Sequence, residues 1–246
     1  PFTVSDELLH YVRELASRYK VLATIHASEG LTDLYHSYEH FGKRTIERLN
    51  DVDFLDRDVV LADCVHVSDE ELAILKKTGS KIAHNPMSNM LNALGVAPVE
   101  RMLSMGIPVG LGNDGYIFDG FENIHAAFLL HKVALRDPRV ISPMEVLEMA
   151  TIKGAELYGL QNELGSLEPG KLADIIIINP TLAPTPVRSE NVVGHLVNTA
   201  GGDDVETVIV GGKVVMSERK VLTLDEAEAV KVARKSADKL WQKLGR

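Results

Sequence analysis

The chain has 246 residues, 45% hydrophobic and 25% charged, which is the composition of a globular protein with ample material for a core. A formal net charge of −9 argues against a nucleic-acid partner, which needs a basic patch, and no apolar run reaches the roughly 18 residues of a membrane span, so neither nucleic acid nor membrane is expected as a partner. A single cysteine, Cys64, excludes an intramolecular disulfide, lends no support to an oxidising compartment, and leaves the cytoplasm as the expected location.

The start at Pro1, with no methionine and no charged-then-apolar leader, reads as a fragment. Ser5 is a good N-cap, and Leu8, Leu9, Val12 and Leu15 share one face, which predicts a helix from Ser5 to Lys20. The run Val21–His26, rich in branched residues, suits a buried parallel strand. A helix over Gly42–Asn50 and a strand over Val59–Val67 follow. The next helix, Ser68–Thr78, carries Asp69, Glu70 and Glu71 in its first turn, where they complement the macrodipole. Then come a strand at Lys81–His84, a helix at Val99–Met105, a strand at Ile107–Leu111, and long helices at Phe121–Leu135 and Pro143–Tyr158. Strands alternating with helices imply βαβ units and a parallel sheet.

The character changes at Gly165. Gly165–Asp174 is rich in turn residues and leads into Ile175–Ile178, while Val205–Val210, Gly211-Gly212 and Lys213–Met216 read as a β-hairpin. A charged amphipathic helix is predicted from Leu224 to Leu244. A closed (β/α)8 barrel takes about 250 residues, so the four predicted strands before Gly165 make half of one. The expected architecture is therefore α/β: half of a TIM barrel over residues 1–164, part of a small β-sandwich over 165–222, and a C-terminal helix over 223–246.

Every parallel strand ends in a polar residue: His26 with Glu29 three residues on, then His66, His84-Asn85 and Asn113-Asp114. The C-terminal strand ends of a parallel α/β barrel form its active-site rim. Three histidines and a carboxylate converging there suit a divalent cation with imidazole and carboxylate ligands. Singly, a strand-end histidine is more often a hydrogen-bonded structural residue, and Asp114-Gly115 is a turn signal. Four at successive strand ends favour function. By contrast, His36, Tyr38 and His40, in the loop after Glu29, are expected on an exposed helix face, and His125 and His131 are expected to be structural or solvated. Cys64 and His195 are expected simply to pack.

Ile25-His-Ala-Ser-Glu29, Ala62-Asp-Cys-Val-His66, His84-Asn-Pro-Met-Ser-Asn89 and Gly110-Leu-Gly-Asn-Asp114 resemble the strand-five to strand-eight motifs of the amidohydrolase superfamily, in its deaminase and chlorohydrolase branch. Gly165–Asp174 resembles that family's re-entry into its small β-sandwich. Leu31–Gly42, and Pro184-Thr-Pro with Asn191-Val-Val-Gly-His195, resemble the SsnA group of aminohydrolases within the branch. The resemblance implies the C-terminal half of a metal-dependent hydrolase that deaminates an amino-substituted nitrogen heterocycle such as a purine, pyrimidine or pterin. Hydrolysis of a triazine or cyclic amide, or a non-catalytic scaffold, are the alternatives.

It further implies a divalent metal, zinc with iron as the alternative, on His26 and Asp114, with His66 as a further ligand or as the holder of the attacking water. Glu29 and Asp114 would move protons. His84, Asn85, Ser88 and Asn89 would line the pocket of a small-molecule substrate. The family also has a His-x-His pair at the end of strand one, and no His-x-His occurs here. With those two ligands missing, this chain alone is expected to be inactive and to work as a homo-oligomer or with the missing N-terminal half.

Overall fold

The structure, a computed structural model, describes residues 1–115, 118–179 and 185–245. Pro184 of the Pro184-Thr-Pro motif lies outside the described residues. The chain runs α1 (Asp6–Tyr19), β1 (Ala23–Ala27), α2 (Leu31–Phe41), α3 (Thr45–Asp51), β2 (Val59–Asp63), α4 (Asp69–Thr78) and β3 (Lys81–His84). Next come α5 (Pro86–Leu91), α6 (Val99–Ser104), β4 (Val109–Leu111), α7 (Gly120–Leu135), α8 (Pro143–Ala150) and α9 (Ile152–Leu157). The remainder is β5 (Ile175–Ile178), α10 (Val192–Asn198), β6 (Val205–Val210), β7 (Lys213–Ser217), β8 (Lys220–Val221) and α11 (Glu226–Lys243).

The first four strands form a parallel sheet in the order β1-β2-β3-β4. All five residues of β2 are buried, which is why its sequence is an apolar run rather than an alternation. Leu61, Ile82 and Val109 of this sheet share one core with Ile46 and Leu49 of α3, Leu72 and Leu75 of α4, and Val146 and Met149 of α8. The other strands form an antiparallel sheet, β5-β6-β7-β8, whose β6–β7 turn uses the positive φ of Gly211 (54°) and Gly212 (77°). Among the described residues no helix is long and apolar enough to cross a membrane.

Local signals hold where they were strong. Ser5 Oγ accepts from the Leu8 amide, and Ser68 with Glu71 forms a capping box on α4. Three expectations are corrected. The strand expected over Val59–Val67 stops at Asp63, because Asp63 (φ 76°) and Cys64 (φ 49°) turn the backbone into the left-handed region. His66 therefore lies beyond the strand end. Leu31–Phe41, for which no bounds were expected, is helix α2 and carries His36, Tyr38 and His40, consistent with the expected helix face. The helix expected over Pro143–Tyr158 breaks at Thr151 (φ −128°, ψ −99°) into α8 and α9. The strand expected from Ile107 starts at Val109, since Pro108 has no N–H for the ladder, although its carbonyl still accepts from Ile82.

Candidate metal and catalytic site

The parallel register sets Ala27 beside Asp63, so the ends of β1 and β2 meet on one rim. There His26 Nδ1 lies 2.8 Å from Asp63 Oδ2. The Asp63 carboxylate is fully buried, whereas the His26 side chain is 56% exposed. The other oxygen, Asp63 Oδ1, accepts from Asn85 Nδ2 at 2.9 Å and from Asn89 Nδ2 at 3.0 Å, both carried in by the β3 end and α5. Asn85 can reach it because residue 112 is glycine: a Cβ there would stand 2.3 Å from Asn85 Oδ1. Glu29, just beyond β1, completes a group with His26 and Asp63 whose candidate ligand atoms all lie within 4.8 Å of one another.

Charge is shaped accordingly. Burial works to raise the Asp63 pKa, but the hydrogen bonds from His26, Asn89 and Asn85 together outweigh it and hold the carboxylate below its ordinary value. The bond to Asp63 raises the pKa of His26 against the opposing effect of burial, and the charges of Asp63, Asp114 and Glu29 add to the rise. Glu29 is raised, first by burial and then by the negative charge of Asp63, with Asp114 acting in the same direction. One imidazole and two carboxylates within reach of one another suit a zinc-like divalent cation.

The residues singled out in the sequence fall into different positions. His26 and Glu29 are in the group. Asp114, in left-handed backbone (φ 60°) after β4, stands outside it and accepts from Ser88 Oγ at 2.5 Å, while its charge still reaches His26 and Glu29. His66 is also outside the group, and its Nε2 is buried without a partner among the described residues. His84 is 1% exposed and turned to α7, its Nε2 3.1 Å from His131 Nε2. His131, expected to be structural or solvated, is thus a buried partner. Of the four residues expected to line a pocket, Asn85 and Asn89 hold Asp63 and Ser88 holds Asp114. On α2, His36 and His40 stack with centroids 4.0 Å apart, the latter exposed as expected.

Asp63 is the residue that sequence reasoning passed over. Its signal was present: a lone carboxylate in the apolar run Val59–Val67, in the quoted Ala62-Asp-Cys-Val-His66. Placing the strand end four residues too late gave the rim position to His66.

Comparison with known proteins bears on this arrangement. A 5'-deoxyadenosine deaminase of Methanobrevibacter smithii is 41% identical over 244 residues, 98% of this chain and 56% of that protein. A 5-methylthioadenosine/S-adenosylhomocysteine deaminase of Thermococcus onnurineus is 42% identical over 228 residues, 90% of this chain and 52% of the relative. The chain spans about half the length of the curated relatives it matches. Among solved structures, an adenosine deaminase from Xanthomonas campestris with bound zinc superposes with a TM-score of 0.92 at 24% identity, over 97% of this chain and 55% of that one, a likeness of fold. An atrazine chlorohydrolase from Arthrobacter aurescens complexed with zinc gives a TM-score of 0.82 at 28% identity, over 95% and 52%. The neighbours are TIM-barrel proteins, of which this α/β chain matches about half. The sequence profile of the Amidohydrolase family matches residues 1–215, and the chain belongs to that family.

Proposed function

We propose that this chain carries part of the active site of a metal-dependent hydrolytic deaminase whose substrate is an adenosine-type nucleoside, working in the cytoplasm. The observation that carries the reading is Glu29: a carboxyl with a raised pKa, beside an imidazole, on the C-terminal rim of a parallel sheet. The relatives' names supply the substrate class, an amino-substituted purine. Residues 1–164 form the catalytic portion in this reading, with 165–222 as part of the β-sandwich and 223–246 as the C-terminal helix.

His26 and Asp114 would hold the metal, and His66 is the further donor available after β2. Bound there, a zinc-like cation lowers the pKa of a water from 15.7 to about 7. Glu29 would carry one proton from the attacking water to the ring nitrogen and then a second, from the newly added hydroxyl, to the amine, which leaves as ammonia, a contribution of about 10²–10⁴-fold. The His66 imidazole, with its unpartnered Nε2, is available to the developing oxyanion. Ser88 orients Asp114, and Asn85 and Asn89 keep Asp63 ionised. A zinc site normally wants three protein ligands. The other half of the barrel would supply the donors this chain lacks and would pair with β1 and β4, the two outer strands of its sheet.

The test is ammonia release by protein containing the complete barrel, loaded with zinc, from 5'-deoxyadenosine, 5'-methylthioadenosine and S-adenosylhomocysteine. Release that chelation abolishes is expected. A metal-loaded protein that frees no ammonia from any of the three refutes the reading, and chloride release from atrazine instead would favour the chlorohydrolase alternative.

A further inference from the structure

We infer that Asp63 is a positioning residue: it holds His26 in the tautomer protonated at Nδ1, so that Nε2 is the nitrogen left to face a metal. This deepens the metal reading proposed above and rests on it. An ionised carboxylate accepts hydrogen bonds and has none to give. Asp63 is fully buried; two amides donate to Oδ1, and the His26 ring meets Oδ2. A hydrogen on Asp63 Oδ2 could also fill the contact with the ring, but a carboxyl is a far stronger acid than an imidazolium, so the shared proton belongs to the ring. With the carboxylate ionised, the 2.8 Å contact requires the hydrogen to sit on His26 Nδ1. Nε2 then carries the lone pair, on a side chain that is 56% exposed at the rim.

The same geometry decides between two uses of the group His26, Glu29 and Asp63. If Asp63 itself coordinated a cation together with His26 Nδ1, the 2.8 Å hydrogen bond would have to break, and Asp63 already receives three hydrogen bonds. A carboxylate that orients a ligating imidazole from behind needs no rearrangement. The support extends further back. Left-handed backbone at Asp63 aims the side chain, Asn85 grips Oδ1, and the missing side chain of Gly112 makes room for Asn85. A relay of contacts from the loop after β4, through β3 and β2, thus fixes one ring at the end of β1.

The test is nuclear magnetic resonance of the ring nitrogens of His26 in 15N-labelled protein, at a pH where the spectrum shows the ring neutral. We expect a protonated Nδ1 and a bare Nε2 before any metal is added, and on titration with zinc a shift of Nε2 alone. In Asp63→Asn the shape is kept, but Asn85 and Asn89 hold the carbonyl oxygen and the amide nitrogen turns to His26. The ring must then accept at Nδ1 and carry its hydrogen on Nε2, and zinc binding is expected to weaken by about 10–100-fold. A wild-type ring protonated at Nε2, or a zinc-induced shift at Nδ1, overturns the inference even if the variant does not fold. The tautomer is read without metal or substrate, so a protein that deaminates nothing yet shows bare Nε2 sinks only the functional reading. An active deaminase with Nε2 protonated sinks only this one.

Discussion

The pair His84 and His131 makes the fold sensitive to acid in a way that can be calculated. Both rings are buried, at 1% and 2% exposure, and their Nε2 atoms lie 3.1 Å apart, so one proton serves two nitrogens. Burial first, and then the neighbouring His131, pushes the His84 pKa from 6.5 down to about 3. Burial first, and then Lys132, pushes His131 from 6.5 to about 4. A base with a depressed folded pKa is neutral in the fold and charged in the unfolded chain. Its stabilising effect is therefore complete above 6.5 and is lost as pH falls toward the folded value.

At about pH 5 the unfolded imidazoles are protonated and the folded ones are not, over a gap of about 1.5 pH units. At 1.36 kcal/mol per unit that costs about 2 kcal/mol for each ring, or about 4 for the pair. His131→Gln removes one titrating base and leaves an amide able to meet His84 Nε2. Denaturant unfolding followed by circular dichroism, at several values from about pH 7 to 5, reads the difference. The variant should lose about 2 kcal/mol less than the parent over that range, while acid effects shared by both chains cancel. Parallel pH profiles for the two proteins would falsify the account of the pair.

Other expectations follow from single positions. Glu29→Gln in the complete, zinc-loaded protein should lower deamination by about 10²–10⁴-fold with little change in zinc content, measured by ammonia release and metal analysis; an active variant removes Glu29 from the chemistry. Leu61 is fully buried at the centre of β2, so Leu61→Ala should cost about 2–5 kcal/mol in denaturant unfolding. Gly165 combines φ 87° with a site where a Cβ would stand 2.7 Å from Ile152 Cα. Backbone cannot move aside as a side-chain end can, so Gly165→Ala should destabilise by at least about 1–3 kcal/mol, read as a lowered midpoint.

What was legible in the residues was what is decided locally. Ser5 and Ser68 announce helix starts because a hydroxyl there meets free backbone N–H groups, whatever lies far away in the chain. Gly211-Gly212 announces a tight turn because both positions need positive φ. The run of β2 announces burial on both faces. The bounds of helix α2 were not read, although Leu31, Leu34, Tyr35, Tyr38 and Phe41 have helical spacing. The face it buries carries Asp33 and Ser37, while Leu31, Tyr35 and Tyr38 stay exposed, so its apolar pattern does not mark the packed side.

The sequence by itself determined the alternation of strands and helices, the polar strand ends and, through four short motifs, the family. It placed His26 and Glu29 at the end of β1, and the class of chemistry proposed here follows from the family. It left open which polar atoms meet. His26 finds Asp63 across 37 residues and His84 finds His131 across 47. Those pairings depend on the register of parallel strands, on the left-handed turn that ends β2 at Asp63, and on the space left by a glycine two residues before Asp114. None of these is a property of a local stretch of sequence. Hydrogen bonds between distant residues are chosen by the backbone's path, and only the tertiary structure draws that path.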